Sequence, residues 1–279
     1  MGRILVTGAT GNVGRLVVDE LLALGATDVR ALTTNPRKAA LPSSVDVRQG
    51  FIGKPETLPA ALDGVEKLYL APWPDTVDEV VRMAVAAGVR KIVDFSSVQA
   101  ESENEDDLMH AHFLRVEKAV ERSGVGWTHI RAGEYMANFA HWFERIRQNG
   151  AMPMPYPEAG TNPIALSDIA YAAAIVLEQD GHDGRTYTLS GPETLRHQEI
   201  AYAIADALGT TVRIEPQSYE DAVTEFGEYR EAGEWYVAGL EETVQYPPQP
   251  SPDFQQLTGR PGTTFAQWAR ARAAELTAA

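Results

Sequence analysis

The 279-residue chain contains no cysteine. This absence excludes disulfide bonds, a thiolate nucleophile and any metal site built on thiolates. Basic residues are also scarce, since 24 lysines and arginines stand against 39 acidic residues and leave a formal net charge of −15. An acidic chain repels phosphate backbones and anionic membrane surfaces, so neither nucleic acid nor a membrane is expected as a partner.

Long apolar runs are missing as well. No stretch reaches the roughly 20 apolar residues that a membrane-spanning helix needs, and the chain enters a strand at once, without a charged-then-apolar leader. We therefore expect a cytoplasmic location. Hydrophobic residues make up 44% of the chain, which is enough to build a core.

Three glycines dominate the beginning of the chain. Gly8, Gly11 and Gly14 follow an apolar run, residues 4–7, that is typical of a buried strand. Apolar residues then recur at helical spacing from Val13 onwards. Glycines between a strand and a helix allow a tight turn and the close approach of backbone N–H groups to a pyrophosphate. The placement predicts a dinucleotide-binding turn.

Strand and helix patterns alternate through the first half of the chain. Further strands are expected at 28–33, 45–49, 67–71, 91–96 and 128–131, and helices at 55–62, 77–87 and 113–123. This alternation predicts an α/β fold with a doubly wound parallel sheet, a Rossmann fold. We expect the dinucleotide-binding core in residues 1–132 and a smaller, mixed C-terminal cap region in residues 133–279 that returns some elements to the core.

The second half of the chain has a looser pattern. Residues 152–157 are predicted to form a proline-broken loop, followed by a helix at 167–179 and a short strand at 186–189. Residues 215–245 hold nine acidic side chains against Arg230 alone. Two interpretations of this acidic region remain open, a solvated helical face and an acidic docking surface.

Several motifs together resemble a known family. Besides the glycine turn they are 95–98, 116–118, 123–131, 133–139, 165–174, 181–189 and 262–265. In them the chain is similar to NmrA-like atypical short-chain dehydrogenases/reductases over nearly its full length, and especially to NADPH-dependent quinone reductases. The resemblance implies NADP(H) as cofactor and a small aromatic or quinone-like substrate, and a homodimer is compatible with it. Other members of this family only bind a dinucleotide and regulate partners, so the fold does not settle the chemistry.

The resemblance assigns the dinucleotide pyrophosphate to the glycine turn. Thr10, Asn12 and Val13 line it there, beside Gly8 and Gly11. Backbone amides and the start of a helix bind phosphate locally, whatever the net charge of the chain.

Cofactor choice depends on the end of the second strand. Residues 33–38 contain no acidic side chain that could accept a hydrogen bond from a ribose 2′-hydroxyl, which favours NADP over NAD. Arg37 or Lys38 could pair with a 2′-phosphate, although relatives commonly carry an arginine where this chain has Thr34. The alternative for Arg37 and Lys38 is ordinary solvated charge.

The catalytic dyad of short-chain dehydrogenases is absent. That dyad is a tyrosine followed four residues later by a lysine. The resemblance aligns these positions with Met109 and Phe113, so the usual alcohol dehydrogenase mechanism is not available. A quinone or an extended enone can still accept hydride and then take a proton from water or a nearby hydroxyl.

These residues favour an NADPH-dependent oxidoreductase that transfers hydride directly to a quinone-like or conjugated carbonyl acceptor. Two alternatives stay open. One is a catalytically silent NADP-binding redox sensor or regulator, and the other is a non-redox biosynthetic enzyme on the same scaffold.

Candidate substrate contacts follow the strands. Trp73, after the fourth strand, could stack on a flat ring or simply pack a loop, and Phe51 could contact adenine or the core. Tyr135 and Asn138, after the sixth strand, resemble the substrate side of the family, with a core aromatic as the alternative for Tyr135.

Polar side chains near the fifth strand complete the candidates. Ser96 and Ser97 end that strand, where they could orient a substrate or cap the next segment. His110 and His112 could supply a general acid, but surface histidines in the acidic loop are favoured. Their spacing does not match the usual pair four residues apart, and we predict no metal site. The catalytic candidates are therefore Ser97, Tyr135 and His112.

Overall fold

A computed structural model of the chain describes residues 2–101 and 108–278. The strands are β1 (Arg3–Val6), β2 (Val29–Thr33), β3 (Asp46–Gln49), β4 (Val65–Leu70), β5 (Lys91–Ser97), β6 (Gly126–Ala132), β7 (Ala151–Met154), β8 (Gly160–Thr161), β9 (Arg185–Leu189), β10 (Leu195–Arg196) and β11 (Arg213–Pro216). The α-helices are α1 (Asn12–Ala23), α2 (Pro59–Leu62), α3 (Val77–Ala86), α4 (Leu108–Glu121), α5 (Ala140–Asn149), α6 (Leu166–Glu178), α7 (His197–Ala207), α8 (Tyr219–Thr224), α9 (Arg230–Gln245), α10 (Asp253–Thr258) and α11 (Phe265–Ala278). The acidic loop expected before α4 lies, at residues 102–107, outside the described residues.

The chain forms two compact units. The first unit comprises Met1–Gly133, Leu166–Leu189 and Asp253–Arg260, and the second comprises Glu134–Ala165, Ser190–Pro252 and Pro261–Ala279. The first unit thus takes α6, β9 and α10 from the C-terminal half of the chain.

A seven-stranded sheet forms the centre of the first unit. Its order is β3-β2-β1-β4-β5-β6-β9, and every neighbouring pair is parallel. Helix α1 packs on α6, and α3 packs on α4. The predicted doubly wound α/β fold is therefore confirmed. The strand order reverses between β1 and β4, which is where ligands bind in such sheets.

Buried apolar strands explain why this sheet forms. β1 and β2 are buried almost throughout, as expected for strands covered on both faces. Helix α6 is buried along most of its length, since nine of its residues are shielded from solvent. Lys67 and Lys91 donate hydrogen bonds to the carbonyls of Leu177 and Gln179, where the last carbonyls of α6 have no helical partner.

Two helices differ from the sequence-based expectation. The predicted helix at 55–62 is a short 3₁₀ turn, Pro55–Thr57, followed by the four-residue α2, because Pro59 lacks an amide hydrogen and restarts the helix. The helix predicted to begin at Phe113 begins at Leu108 instead. His110 and His112 therefore lie on α4 and not in a loop, which corrects the prediction.

The second unit holds a small apolar core between helices. α5 packs on α7, and α7 packs on α11. Its largest buried side chains include Phe139, Phe143 and Phe265. Two two-stranded sheets, β10-β8 and β11-β7, complete this unit.

The proline-broken loop predicted at 152–157 is wrong in its first half. Residues 151–154 form β7, which pairs in parallel with β11. Met152 and Met154 alternate into the core, while Pro153 is half-buried between them. Proline is tolerated because β7 pairs with one strand only in the described part of the chain, so that one side of its backbone needs no donor.

The acidic region 215–245 folds into helices. Ala222, Val223 and Val237 are buried on one side of α8 and α9, and Arg230 forms ion pairs with Glu220 and Glu234 on the exposed side. None of the helices within residues 2–101 and 108–278 is long and apolar enough to cross a bilayer.

Candidate functional site

The glycine turn joins β1 to α1. Gly8 adopts a left-handed conformation with φ of +61°, which costs glycine nothing, and Gly11 N–H donates to the Gly8 carbonyl at 2.8 Å. A Cβ atom at Gly14 would lie 2.2 Å from that carbonyl oxygen, so only glycine fits. The geometry of the turn therefore favours glycine at position 8 and requires it at position 14.

The start of α1 is open to an anion. Gly11 is its N-cap and has no side chain to accept from the first-turn amides, and the first turn carries no acidic residue. Gly8, Thr10, Gly11 and Asn12 are exposed, while Val13 is half-buried. Unpaired amides and the positive end of the helix dipole suit a pyrophosphate, so this turn fits a dinucleotide.

The end of β2 lies beside this turn. The hydroxyl oxygens of Thr10 and Thr33 are 3.2 Å apart, and the adjacent Thr34 is exposed. Arg37 and Lys38 follow on an exposed 3₁₀ turn, and neither side chain forms an ion pair within the described part of the chain. Both cations are available to a phosphate.

Trp73 and Phe51 lie against each other. Their ring centroids are 4.9 Å apart in an edge-to-face contact, and 41% of Trp73 is exposed. Phe51 is half-buried against the core of the first unit. The free face of Trp73 thus has room for a ring, while Phe51 is committed to packing.

Ser97 and the α4 histidines have local partners. Ser97 Oγ accepts a hydrogen bond from Gln99 N–H at 3.2 Å, which is the capping role. His110 Nδ1 lies 3.2 Å from the Gln99 carbonyl. His112 is half-buried against Phe113, and burial lowers the pKa of its imidazole.

Sequence reasoning missed a buried polar layer between the sheet and α4. Asp94 and Ser96 project from β5, and His129 and Arg131 from the paired positions of β6. His129 Nδ1 lies 2.7 Å from Asp94 Oδ1. The only signal for this layer was polar residues two apart on two neighbouring strands, a spacing that places them on one face.

Glu117 of α4 is the centre of this layer. It is 1% exposed and accepts hydrogen bonds from Arg131 on both oxygens, at 2.8 and 2.7 Å, and from Ser96 at 2.5 Å. Burial alone would raise the pKa of Glu117, but the bonds from Arg131 and Ser96 outweigh it and hold the pKa below its usual value. Ser96, fully enclosed here, is not placed to meet a substrate.

Asp94, Glu117 and His129 also have the donor atoms of a metal site. These atoms lie within 4.8 Å of one another. Arg131 already neutralises Glu117, however, and its guanidinium would repel a cation at this distance. The cluster is better explained as an internal ion-pair layer than as a metal centre.

A cavity of about 410 Å³ lies within the second unit. Its walls are mainly apolar and aromatic, and they include Phe139, Trp142, Met152, Met154 and Leu240. Asn138, a predicted substrate contact, lines the cavity. Tyr135 does not belong to this lining. It is half-buried, and burial raises the pKa of its hydroxyl.

Two polar centres face the cavity. Glu134 Oε2 accepts a hydrogen bond from Thr161 at 2.6 Å, and Tyr236 Oη lies 3.5 Å from Glu134 Oε1. Burial raises the pKa of the Glu134 carboxyl and of the Tyr236 hydroxyl. Arg145 and Glu225 form the other centre, a bidentate ion pair at 2.8 and 3.0 Å. The sequence did not single out Glu134 as a site residue, although it adjoins Tyr135.

His197 is a further buried group on the cavity wall. It is 3% exposed, and its ring meets Phe139 and Trp142 edge-on. Burial lowers the pKa of the imidazole to about 4, so the ring is neutral at pH 7. Its Nε2 atom is enclosed with no hydrogen-bond partner among the described residues.

Comparisons with known proteins agree with these observations. The model of the NmrA-like family matches residues 1–238. A (4-alkanoyl-5-oxo-2,5-dihydrofuran-3-yl)methyl phosphate reductase from Streptomyces griseus is 32% identical over 278 residues, 95% of this chain and 96% of that protein. An NAD(P)H azoreductase from Xenophilus azovorans is 32% identical over 300 residues, 99% of this chain and 100% of that protein.

A solved structure shows the same fold. The NADPH-dependent quinone oxidoreductase of Escherichia coli, in complex with NADPH, aligns with a TM-score of 0.83 at 25% sequence identity. The alignment covers 96% of this chain and 99% of that one.

Proposed function

This chain belongs to the NmrA-like family, and we propose that it is an NADP(H)-dependent oxidoreductase that reduces a quinone-like or conjugated carbonyl acceptor by direct hydride transfer. The family match confirms the resemblance inferred from the motifs. The open amides at the glycine turn carry the proposal, because no capping side chain and no acidic residue in the first turn of α1 compete with a dinucleotide pyrophosphate for them.

The proposed cofactor contacts divide into two groups. Gly8, Thr10, Gly11, Asn12 and Val13 hold the pyrophosphate at the start of α1. Thr34, Arg37 and Lys38 receive the 2′-phosphate of NADP(H), supported by the exposure of the two cations and the lack of an acidic residue there. NADPH, when bound, supplies the hydride.

The acceptor class is supported by chemistry and by the relatives. A furanone, an azo compound and a quinone, the acceptors in the relatives' names, share a conjugated, electron-poor centre. Such acceptors do not need the tyrosine–lysine dyad, whose aligned positions hold the exposed Met109 and the buried Phe113. We propose Trp73, Tyr135 and Asn138 as acceptor contacts, and Ser97, Tyr135 or His112 as proton-delivering groups.

Gly11→Asp tests the cofactor site. Aspartate is a good N-cap and Gly11 already has an extended backbone, so the variant should fold while its carboxylate occupies the amides that phosphate needs. We expect calorimetric NADPH affinity and NADPH-dependent quinone reduction to fall by about 100-fold, since an anion then repels an anion. Gly239→Asp is the matched control, because it adds the same charge in open space on α9.

Two results would contradict the proposal. Unchanged NADPH affinity in Gly11→Asp would overturn the site assignment. Tight NADPH binding by the natural chain without oxidation by any quinone, furanone or azo acceptor would overturn the reductase activity and favour the silent redox sensor.

A further inference from the structure

The cavity of the second unit combines apolar walls with one unusual carboxyl group. Glu134 lines this cavity, and its hydrogen-bond partners are uncharged: the hydroxyl groups of Thr161 and Tyr236 and the side chain of Asn138. No lysine or arginine among the described residues pairs with it. A carboxyl group in this setting is suited to donating a hydrogen bond rather than to holding a negative charge.

We propose that the carboxyl group of Glu134 donates a hydrogen bond to the carbonyl oxygen of an uncharged, flat aromatic ligand that occupies this cavity. The inference rests on the proposed function only for its choice of a quinone-like ligand. Glu134 is thereby assigned a binding and specificity-determining role.

The shape and lining of the cavity indicate an aromatic ligand. Its volume of about 410 Å³ lies in the range of small-molecule sites, about 300–1,000 Å³. Phe139 and Trp142 already meet edge-to-face with centroids 5.0 Å apart, and Met152 and Met154 add polarisable sulfur atoms. Aromatic and thioether side chains of this kind favour a flat aromatic ring as the ligand.

The charges of the cavity indicate a neutral ligand. Arg145 is the single arginine or lysine among its lining residues, and both of its terminal nitrogens already bond Glu225. A phosphate would have to displace Glu225 and approach Glu134 as well, which costs desolvation without a free cation to compensate. The name of the Streptomyces relative includes a phosphate-bearing substrate, and a site for such a substrate would need a free cation that this cavity lacks.

The hydrogen bonds of Glu134 come from three uncharged side chains, those of Thr161, Asn138 and Tyr236. Thr161 donates to Oε2 at 2.6 Å, whereas the Tyr236 hydroxyl is 3.5 Å from Oε1, too long for a strong bond. Burial already raises the pKa of Glu134, and an apolar ring that displaces water would raise it further. The bound ligand therefore favours the protonated carboxyl that binds it.

Five other titratable or charged side chains line the cavity. Tyr236 lies on α9, His197 on α7, His141 and Arg145 on α5, and Glu225 directly after α8. The pKa of Tyr236 is raised well above the pH range of the test by burial, and that of His197, about 4, lies below it. A change in ligand binding between pH 6 and pH 9 is therefore assigned to Glu134 only through its variants.

The test is calorimetric binding of menadione, a neutral naphthoquinone, to the full chain without NADPH. We expect binding about tenfold tighter at about pH 6 than at about pH 9, because ionisation removes the donor. Glu134→Gln should bind with equal affinity at both pH values, since an amide donates whatever the pH. Glu134→Leu should lose about tenfold at about pH 6.

Glu144→Gln is the matched control. Glu144 is an exposed glutamate on α5 that pairs with Arg147 and lies outside the cavity lining. This variant should keep the pH dependence of the natural chain. The expected pattern across the four proteins supports a donor role for Glu134.

Several outcomes would overturn the inference. They are no menadione binding at any pH, pH-independent binding by the natural chain, or a pH dependence that survives in Glu134→Gln. NADPH oxidation, measured separately, keeps the two proposals apart. If the chain oxidises NADPH with a quinone but binds menadione independently of pH, only the proposed role of Glu134 is contradicted. If menadione binds with the expected pH dependence but NADPH is not oxidised, only the proposed reductase activity is contradicted.

Discussion

Glu117 of the first unit and Glu134 of the second show how neighbours decide the state of a glutamate. Burial raises the pKa of both carboxyl groups. At Glu117 the hydrogen bonds from Arg131 and Ser96 reverse the effect, and the pKa falls below its usual value. At Glu134 the hydrogen bonds from Thr161, Asn138 and Tyr236 only reduce the effect of burial, and the pKa stays raised. The pKa of a carboxyl removed from water falls where a cation pairs with it and rises where only uncharged groups do.

This difference distinguishes a polar group that stabilises the fold from one that is available to a ligand. Glu117 has its hydrogen-bonding capacity filled by Arg131 and Ser96, so it stabilises the packing of α4 on the sheet. Glu134 is bonded only by uncharged side chains and lines a cavity. A carboxyl group that lines a cavity without a paired cation is a better ligand-binding candidate than one in a complete ion-pair network.

The largest expected effect comes from removing the cation of Glu117. Arg131→Met leaves a buried carboxylate unpaired, and we expect the free energy of unfolding at pH 7 to fall by about 3–5 kcal/mol in urea denaturation. Arg147→Met, which breaks the exposed pair with Glu144, is the matched control and should change nothing measurable. Adding Glu117→Gln to Arg131→Met should restore part of the loss. Equal free energies of unfolding for Arg131→Met and Arg147→Met would contradict the contrast between the buried and the exposed ion pair.

The second effect concerns a buried base, His197, where burial again disfavours the charged form. The pKa of His197 is lowered to about 4 from 6.5 by burial, so its contribution to stability is complete above about pH 6.5 and is lost as the pH falls through about 4. The loss is at most about 3 kcal/mol. His197→Phe, which keeps an aromatic ring beside Phe139 and Trp142, should flatten the unfolding free energy over this interval. A slope unchanged in the variant would show that His197 is not the titrating group.

The smallest effect compares the same substitution, glutamate to glutamine, at Glu134 and at Glu117. Because the folded-state pKa of Glu134 is raised, its favourable contribution is complete below about pH 4.3 and is lost as pH rises through the folded value. We expect Glu134→Gln to stabilise the fold at pH 8 by about 1 kcal/mol, and by less at pH 5. Glu117→Gln should destabilise it at pH 8, because its lowered pKa gives a contribution that is present above about pH 4.3. Changes of the same sign would refute the assignment.

The sequence predicted the elements of the first unit better than those of the second. Strands buried on both faces produce apolar runs such as β1, and the helices between them carry a clear apolar stripe. β7 was missed because Pro153 within it and Pro155 directly after it signal a loop locally. Only its pairing with β11, about 60 residues later, makes it a strand.

The candidate sites divide in the same way. A turn of three glycines uses backbone amides, whose positions follow from a few adjacent residues, so the glycine turn was predicted in place. In the second unit, Glu134 and its partners Thr161 and Tyr236 come from three distant segments. Nothing local marks Tyr236, which lies in a helix that reads as a solvated acidic face.

The sequence by itself determined the α/β class, the place of the glycine turn and the absence of thiol chemistry, because each depends on residue type and short-range spacing. Tertiary structure alone decided which carboxyl groups meet a cation and which face a cavity. Glu117 and Glu134 differ through Arg131 on one side and Thr161 on the other. Those neighbours are set by strand register and helix packing, and the electrostatic energy of a buried group depends on distances that a linear sequence does not contain.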